Sequence, residues 1–294
     1  MSKKYIYALG FFDGVHLGHQ ALLESCRELA NCEGFLPGAI TFGTHPQMLT
    51  AGGAPGLINT PADRERLLCR WVEHVVTLPF DERIRTMPWE DFLELLRKDH
   101  SAAGFVCGDD FRFGFKGLGN ADALESWCRE RALPFRRLSE QTLDGVRVSS
   151  THIRALLEAG KLEEANRFLG HPHILSGPVV PGKQLGRRLG IPTANLRQPD
   201  GLTELYRGVY ACRCHLEGKT YAAVTNIGVR PTVSGEGVTI EPWLQGYTGD
   251  LYGKEITLEF IAFLRPEKKF GSLEELKAAV LEDAEKTNKI YGEL

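Results

Sequence analysis

Residues 5–20 read YIYALGFFDGVHLGHQ, and their reading decides the fold of the first half of the chain. An apolar run, Tyr5–Leu9, gives way to a glycine-rich turn, behind which an apolar-periodic stretch begins (Ala21, Leu22, Leu23, Cys26, Leu29). That pattern is a strand, a tight turn and the start of a helix. Such a turn presents backbone N–H groups and the positive end of a helix dipole, which suits phosphate. Gly10, Gly14 and Gly18 let the backbone turn sharply and let a ligand come close. His16 and His19, three residues apart at a helix start, can face one ligand and donate to phosphate oxygens as charge builds there. The spacing alone also fits two ordinary surface histidines; the surrounding turn chemistry favours the phosphate site.

Outward from this stretch, the alternation continues to about Leu138. Strands are expected at Gly38–Phe42, His74–Leu78, Gly104–Cys107 and Pro134–Leu138, and helices at Gln20–Ala30, Ala62–Val72, Trp89–Leu96 and Ala121–Arg131. Thr60 and Pro61 supply an N-cap and a first helical residue. Alternating strand and helix implies a parallel sheet covered on both faces, with ligands at the carboxyl ends of its strands. A helical stretch, Ile153–Glu158 and Glu163–Phe168, is broken at Gly160, and Gly170-His171-Pro172 marks a boundary. Beyond it, Val209–Cys214, Tyr221–Asn226 and Ile256–Phe263 are β-rich runs between glycine and proline turns, which implies an antiparallel sheet or small barrel. Ser272 with Glu275 forms a capping box for a closing helix. Two domains are expected, residues 1–170 and residues 171–294.

Composition narrows the function. The chain has 294 residues, 43% hydrophobic and 25% charged, which is ordinary for a soluble globular protein. A net charge of −3 and a pI near 6.3 give no footprint for nucleic acid or an anionic membrane. Seven cysteines without C-x-x-C spacing suggest neither a disulfide framework nor a zinc site. With no signal-like or membrane-spanning segment, a cytoplasmic protein is expected, monomeric or weakly homo-oligomeric.

Two more strings fall at strand ends or helix starts of the first half. Cys107-Gly108-Asp109-Asp110-Phe111-Arg112-Phe113-Gly114 follows the fourth strand and could hold a flat ring and a phosphate, although its phenylalanines suit the core better. Val148-Ser149-Ser150-Thr151-His152-Ile153-Arg154 puts hydroxyls at a helix start and an arginine one turn on, able to cap the helix or clamp phosphate. Together with H-x-G-H, these strings resemble the nucleotidylyltransferase superfamily. FDGVHLGHQ is similar to the FMN adenylyltransferase half of bacterial bifunctional riboflavin kinase/FAD synthetases. The resemblance implies a Rossmann-like α/β domain that transfers the adenylyl group of ATP to FMN, giving FAD and pyrophosphate. It implies His16 and His19 as stabilisers of the reacting phosphates. It further implies ATP contacts from Gly10, Phe11, Asp13, Gly14, Gly18, Ser149, Ser150, Thr151 and Arg154, and flavin contacts from His45, Asp110, Phe111 and Arg112. The family usually carries another basic residue shortly after the last glycine of the loop; here Lys116 comes early and Leu118 follows.

The second half carries Gly186-Arg187-Arg188-Leu189-Gly190-Ile191-Pro192-Thr193-Ala194-Asn195. It is not a P-loop, and no G-x-x-x-x-G-K-[ST] occurs in the chain. Backbone around Gly182, Gly186, Arg187 and Gly190 could cradle phosphates, and Thr193 and Asn195 offer hard oxygen ligands suited to magnesium. A tight proline turn would also account for the string. In order with Asn226–Thr232, Glu241, Asp250–Lys254 and Phe263–Phe270, it resembles riboflavin kinase. That resemblance implies a small antiparallel β-barrel with a terminal helix, Mg2+ with ATP as co-substrate, and Glu241 as general base for the ribityl 5′-hydroxyl. A lone Glu in a β-run is more often a solvent-facing charge, so only the ordered series promotes it. Pro242-Trp243 stands where the family often has a histidine. The expected activities are riboflavin to FMN and FMN to FAD. The alternatives are one active half, or a flavin- or nucleotide-sensing protein on the same scaffold.

Overall fold

A computed structural model of the chain describes residues 3–44, 56–182, 186, 190–232 and 235–292. Contacts divide it into two compact units; the division falls between Ser150 and Thr151, and Gly56–Thr60 group with the second unit.

The first unit runs β1 (Tyr5–Leu9), α1 (Leu17–Glu33), β2 (Leu36–Phe42), α2 (Pro61–Leu68), β3 (His74–Leu78), α3 (Glu82–Thr86), α4 (Trp89–Asp99) and β4 (Ala102–Gly108). It continues through β5 (Arg112–Phe113), β6 (Gly119–Asn120), α5 (Ala121–Glu130), β7 (Phe135–Leu138), β8 (Thr142–Leu143) and β9 (Val146–Arg147). Five strands form one parallel sheet in the order β3-β2-β1-β4-β7. The chain builds outward from β1 to β3 on one side, then crosses to β4 on the other. The carboxyl end of β1 is therefore the topological switch point, where a crevice opens for ligands. Helices cover both faces. Leu22, Leu23, Cys26 and Leu29 of α1 are buried, and Cys26 Sγ donates to Ile6 O at 3.1 Å. On the opposite face Phe92, Leu93 and Leu96 of α4, with Leu124 and Trp127 of α5, pack against Tyr7, Leu9, Ile40 and Phe105.

The second unit follows with α6 (Ser150–Glu158), whose first residue lies at the division, α7 (Leu162–Leu169), β10 (His173–Pro178), β11 (Leu196–Arg197), β12 (Gly208–Leu216), β13 (Lys219–Thr232), β14 (Gly235–Leu244), β15 (Glu255–Pro266) and α8 (Leu273–Gly292). Its six strands are antiparallel in the order β10-β15-β12-β13-β14-β11. The two end strands approach each other, with Gly177 of β10 against Leu196 of β11, so the sheet nearly closes into a barrel. Asn166 of α7 donates to Phe260 O at 2.8 Å, and Glu163 accepts from the Phe263 N–H at 2.9 Å. These bonds tie α7 to β15, so α6 and α7 group with the barrel, although the sequence boundary at residue 170 lies after them. No helix among the described residues is long and apolar enough to cross a membrane.

Three details depart from the sequence reading. Helix α2 ends at Leu68, not Val72, because tight turns (Arg70 N to Leu67 O, Trp71 N to Leu68 O) bend the chain into β3. Helix α3 was not expected, yet Asp81 caps it by accepting from the Ile84 N–H at 2.9 Å. In α8 Ser272 accepts from the Glu275 N–H as expected, but the Glu275 carboxylate returns to the Gly271 N–H at 3.0 Å and not to Ser272.

Candidate active sites

The turn after β1 sits at the switch point. Gly10 donates to Ile40 O at 3.2 Å, which continues the sheet one residue past β1. A short 3-10 turn, Asp13–Val15, follows, with Gly14 at φ 81 where a side chain would be strained. Phe12 (φ 59) and Val15 (φ 41) also adopt positive φ. For a β-branched valine this is a genuine outlier, and such strain gathers at functional turns held by their surroundings. Here both side chains are buried, the Val15 carbonyl accepts from Gln20 Nε2 at 2.9 Å, and Thr41 Oγ1 donates to Phe11 O at 2.8 Å.

His16 is the N-cap of α1: its Nδ1 accepts from the His19 N–H at 3.3 Å. The two imidazoles stack with centroids 3.6 Å apart and 12° between planes. Gly18 lies between them in the first turn of α1. His16 is 6% exposed, and His19 Nδ1 is buried without a hydrogen-bond partner. Burial, then the His16 ring, then the Arg64 cation hold His19 well below the usual histidine range. Ser150 Oγ, at the start of α6, donates to Asp13 O at 2.9 Å, so the second signature string is bonded to the first. Ser149 precedes it. Thr151 and Arg154 fall in the second unit, where Arg154 Nη2 donates to Thr151 Oγ1 at 3.1 Å.

Arg64 of α2 escaped the sequence reading. It is 1% exposed and is the largest fully buried side chain among the described residues. Its guanidinium lies 4.3 Å over the Phe11 ring, and Nη2 donates to Phe42 O at the end of β2. Asp13 is the nearby charge that supports it, while burial pulls its pKa down to about 10. The sequence signal was spacing: Arg64 lies three residues before Leu67 and four before Leu68, on the buried face of α2.

The loop after β4 supplies less. Asp110 is exposed and pairs with Arg147 at 2.8 Å, and Arg112 is exposed on β5. Phe111 stacks on Phe113 at 5.3 Å and packs against the core, as the sequence suggested for these rings. Lys116 is exposed, with its ammonium 5.3 Å from the Phe115 ring. His45 lies outside the described residues, as does Arg187.

The second unit holds a cavity of about 390 Å³ against the barrel wall. Gly186, Thr193, Asn195, Asn226, Glu241, Trp243 and Arg265 are among the residues that line it. The backbone brings the parts together: the Ala194 N–H donates to Pro242 O at 2.8 Å, which pins the Thr193–Asn195 segment beside Glu241. Glu241 lies opposite Asn226 across β13 and β14, and its Oε1 accepts from Thr239 Oγ1 at 3.2 Å. Gly182 lies so close against the Asn195 amide that a Cβ there would collide with it, and Gly190 makes its turn at φ 74. Among the described residues no three His, Cys, Asp or Glu side chains gather to hold a metal. A hydroxyl and an amide can contribute to a magnesium site whose other ligands are phosphate and water, so the donor set fits that ion. Arg265 makes a fork to Asp283 of α8, Nε at 3.0 Å and Nη2 at 2.8 Å, and Lys268 and Phe270 carry the following loop along the same cavity.

Comparison with known proteins matches the FAD synthetase family model to residues 1–152 and the riboflavin kinase model to residues 169–291. The bifunctional riboflavin kinase/FMN adenylyltransferase of Pseudomonas fluorescens is 35% identical over 281 residues, 95% of this chain and 90% of its own. That of Listeria monocytogenes is 31% identical over 297 residues, covering 98% of this chain and 93% of its own. Among solved structures, one described as a macrolide-efflux protein from Streptococcus pneumoniae matches with a TM-score of 0.86 at 28% identity, covering 98% of this chain and 95% of that one.

Proposed function

The chain belongs to the family of bifunctional riboflavin kinases/FMN adenylyltransferases, and on that premise we propose that its second unit phosphorylates riboflavin to FMN and its first adenylylates FMN to FAD. The observation that carries this reading is the meeting of Thr193, Asn195 and Glu241 in one cavity, separate from the stacked His16–His19 pair in the other unit. Each half has its own chemistry-bearing cluster.

In the kinase step Glu241 takes the proton of the ribityl 5′-hydroxyl as that oxygen attacks the γ-phosphorus of ATP, and ADP leaves. Thr193 and Asn195 hold Mg2+, which neutralises phosphate charge when bound. Gly182, Gly186, Arg187 and Gly190 belong to the segment that cradles the phosphates. In the adenylyl step a phosphate oxygen of FMN attacks the α-phosphorus of ATP, and the bond to the β-phosphate breaks to release pyrophosphate. The protein's part is positioning and charge stabilisation. His16 and His19 donate N–H groups to the reacting phosphates, beside the backbone of Gly10, Phe11, Asp13, Gly14 and Gly18. Ser149, Ser150, Thr151 and Arg154 take the phosphate role their motif implies, and His45, Asp110, Phe111 and Arg112 the flavin side. A cytoplasmic protein that handles riboflavin, FMN, FAD and ATP, with no nucleic-acid partner, fits the charge balance.

The test is a product time course with riboflavin, ATP and Mg2+, separating the three flavins. FMN should rise and then give way to FAD. FMN alone would restrict activity to the second unit, and bound flavin without product would indicate a sensor.

A further inference from the structure

Arg64 has no role in either motif of the first unit, yet its environment is that of a ligand-binding group. Its side chain is buried, and both Nε and Nη1 lack a hydrogen-bond partner. A buried guanidinium with two unpartnered nitrogens is costly, because the ion has left water without replacing its hydrogen bonds. Only Nη2 is bonded, to the Phe42 carbonyl, and Asp13 supplies partial charge compensation. The group sits in the phosphate corner itself: it covers Phe11 of the motif turn, and its charge is felt by both Asp13 and His19. Nε–H and the Nη1 hydrogens leave different edges of the planar guanidinium, so oxygens of two phosphate groups, one at each edge, would satisfy both nitrogens and compensate the charge. A structural role alone, bracing Phe11 and the end of β2, uses one ring face and one N–H and leaves the other two donors unexplained.

We infer that Arg64 binds phosphate oxygens of the reacting substrates at both edges of its guanidinium, through Nε and Nη1, as a further binding residue of adenylyl transfer. The inference rests on the reading that the His16–His19 corner is the adenylyl-transfer site. The two phosphates belong both to ATP, or one to ATP and one to the incoming FMN, and the kinetics separate the two cases.

The experiment uses the full chain, with FAD formation (from FMN and ATP) and FMN formation (from riboflavin and ATP) measured separately. Arg64→Lys keeps the charge and loses the donors on two edges; Arg64→Met keeps the volume and loses both. FAD formation should fall at least about tenfold in kcat/KM for Lys and about a hundredfold or more for Met, the scale of losing one preorganised donor to a transition state. FMN formation should stay within about twofold of wild type. A raised KM for ATP alone assigns both contacts to ATP, and a raised KM for FMN assigns one of them to FMN. In the wild-type protein, the Arg64 Nε–H resonance, assigned by correlation through the side chain to the backbone amide, should shift with α,β-methylene ATP or with FMN. That measurement does not depend on how the variants fold. Unchanged FAD kinetics in Arg64→Met, or an Nε–H signal unmoved by either compound, overturns the inference. A His19→Asn control tells the two failures apart. If it abolishes FAD formation while Arg64→Met does not, only the role of Arg64 fails; if it too leaves FAD formation intact, the corner is not the site.

Discussion

The His16 and His19 rings stack 3.6 Å apart, and the His19 amide donates to His16 Nδ1 at 3.3 Å. An accepting Nδ1 carries no proton, so the His16 proton sits on Nε2, an assignment that follows from the bond. Two imidazolium rings at this spacing would repel, and burial, His16 and Arg64 all disfavour the charged form of His19. His19 is therefore held neutral and serves as an N–H donor. An NMR titration of the His19 Cε1–H resonance in the ligand-free protein should show no inflection between pH 8 and the ordinary histidine range near about 6.5. An inflection there would mean that His19 carries an imidazolium.

Separate clusters predict separable losses. His19→Ala should lower FAD formation by about 10²–10³-fold, as for an oxyanion-hole donor, and leave FMN formation intact. Glu241→Gln should lower FMN formation by about 10²–10⁴-fold, the contribution of a general base, and leave FAD formation from supplied FMN intact. Separate assays of each variant check both. Loss of both activities in a single folded variant would contradict two independent sites.

Much of the fold was legible because it depends on local patterns. Strands β1 and β3 have the bounds that their apolar runs gave, and the order of strand and helix was enough to place the motif turn at a sheet edge. Position in the barrel was not legible in the same way. Glu241 looked like any charge in a β-run, and its setting comes from pairing with Asn226 on a neighbouring strand and from a bond that anchors Ala194 to Pro242. Arg64 was hidden by its neighbours: Asp63-Arg64-Glu65-Arg66 reads as a solvated charged turn of helix, whereas tertiary packing buries its first two residues and exposes the last two.

Gly114, last residue of the loop string after β4, is conformationally committed. It adopts φ 70, and an added Cβ would lie 2.5 Å from Trp89 Cβ and 2.6 Å from Trp89 Cα. Gly114→Ala therefore meets both a left-handed backbone penalty and a clash with main-chain atoms that cannot yield. Together these should cost about 2–4 kcal/mol. A urea melt should show the loss, whereas Gly145→Ala, at similar φ in open space, should cost only about 1–2 kcal/mol.

His173 at the start of β10 predicts acid sensitivity. Burial, and next the neighbouring His171, push its pKa down to about 3, so the folded chain holds it neutral. The unfolded chain takes up the proton near pH 6.5, and between those values it binds more protons than the folded one. Stability should therefore fall as pH drops below about 6.5, by up to ~1.4 kcal/mol per unit from this group. Urea midpoints of the wild type should drop between pH 7 and 5, and those of His173→Leu should drop less over the same range. Equal drops would show that His173 does not carry the effect.

The fork between Arg265 and Asp283 separates stability from function at the kinase cavity. Asp283 is 1% exposed and carries the charge that offsets a guanidinium lining the same space. Removing one partner leaves the other unpaired, so Asp283→Ala should cost about 3–5 kcal/mol. Replacing both by apolar groups of similar volume removes the unpaired charge, and Arg265→Met with Asp283→Leu should recover most of that loss. Function should not recover with it. Arg265 leads into the Pro266–Phe270 segment, and its guanidinium lies 5.6 Å from the Phe270 ring on the cavity wall. Without the fork that segment loses its anchor to α8, and the KM for riboflavin should stay raised in the double variant despite its restored urea midpoint. Normal riboflavin kinetics in a stable double variant would mean that the fork only holds the fold together.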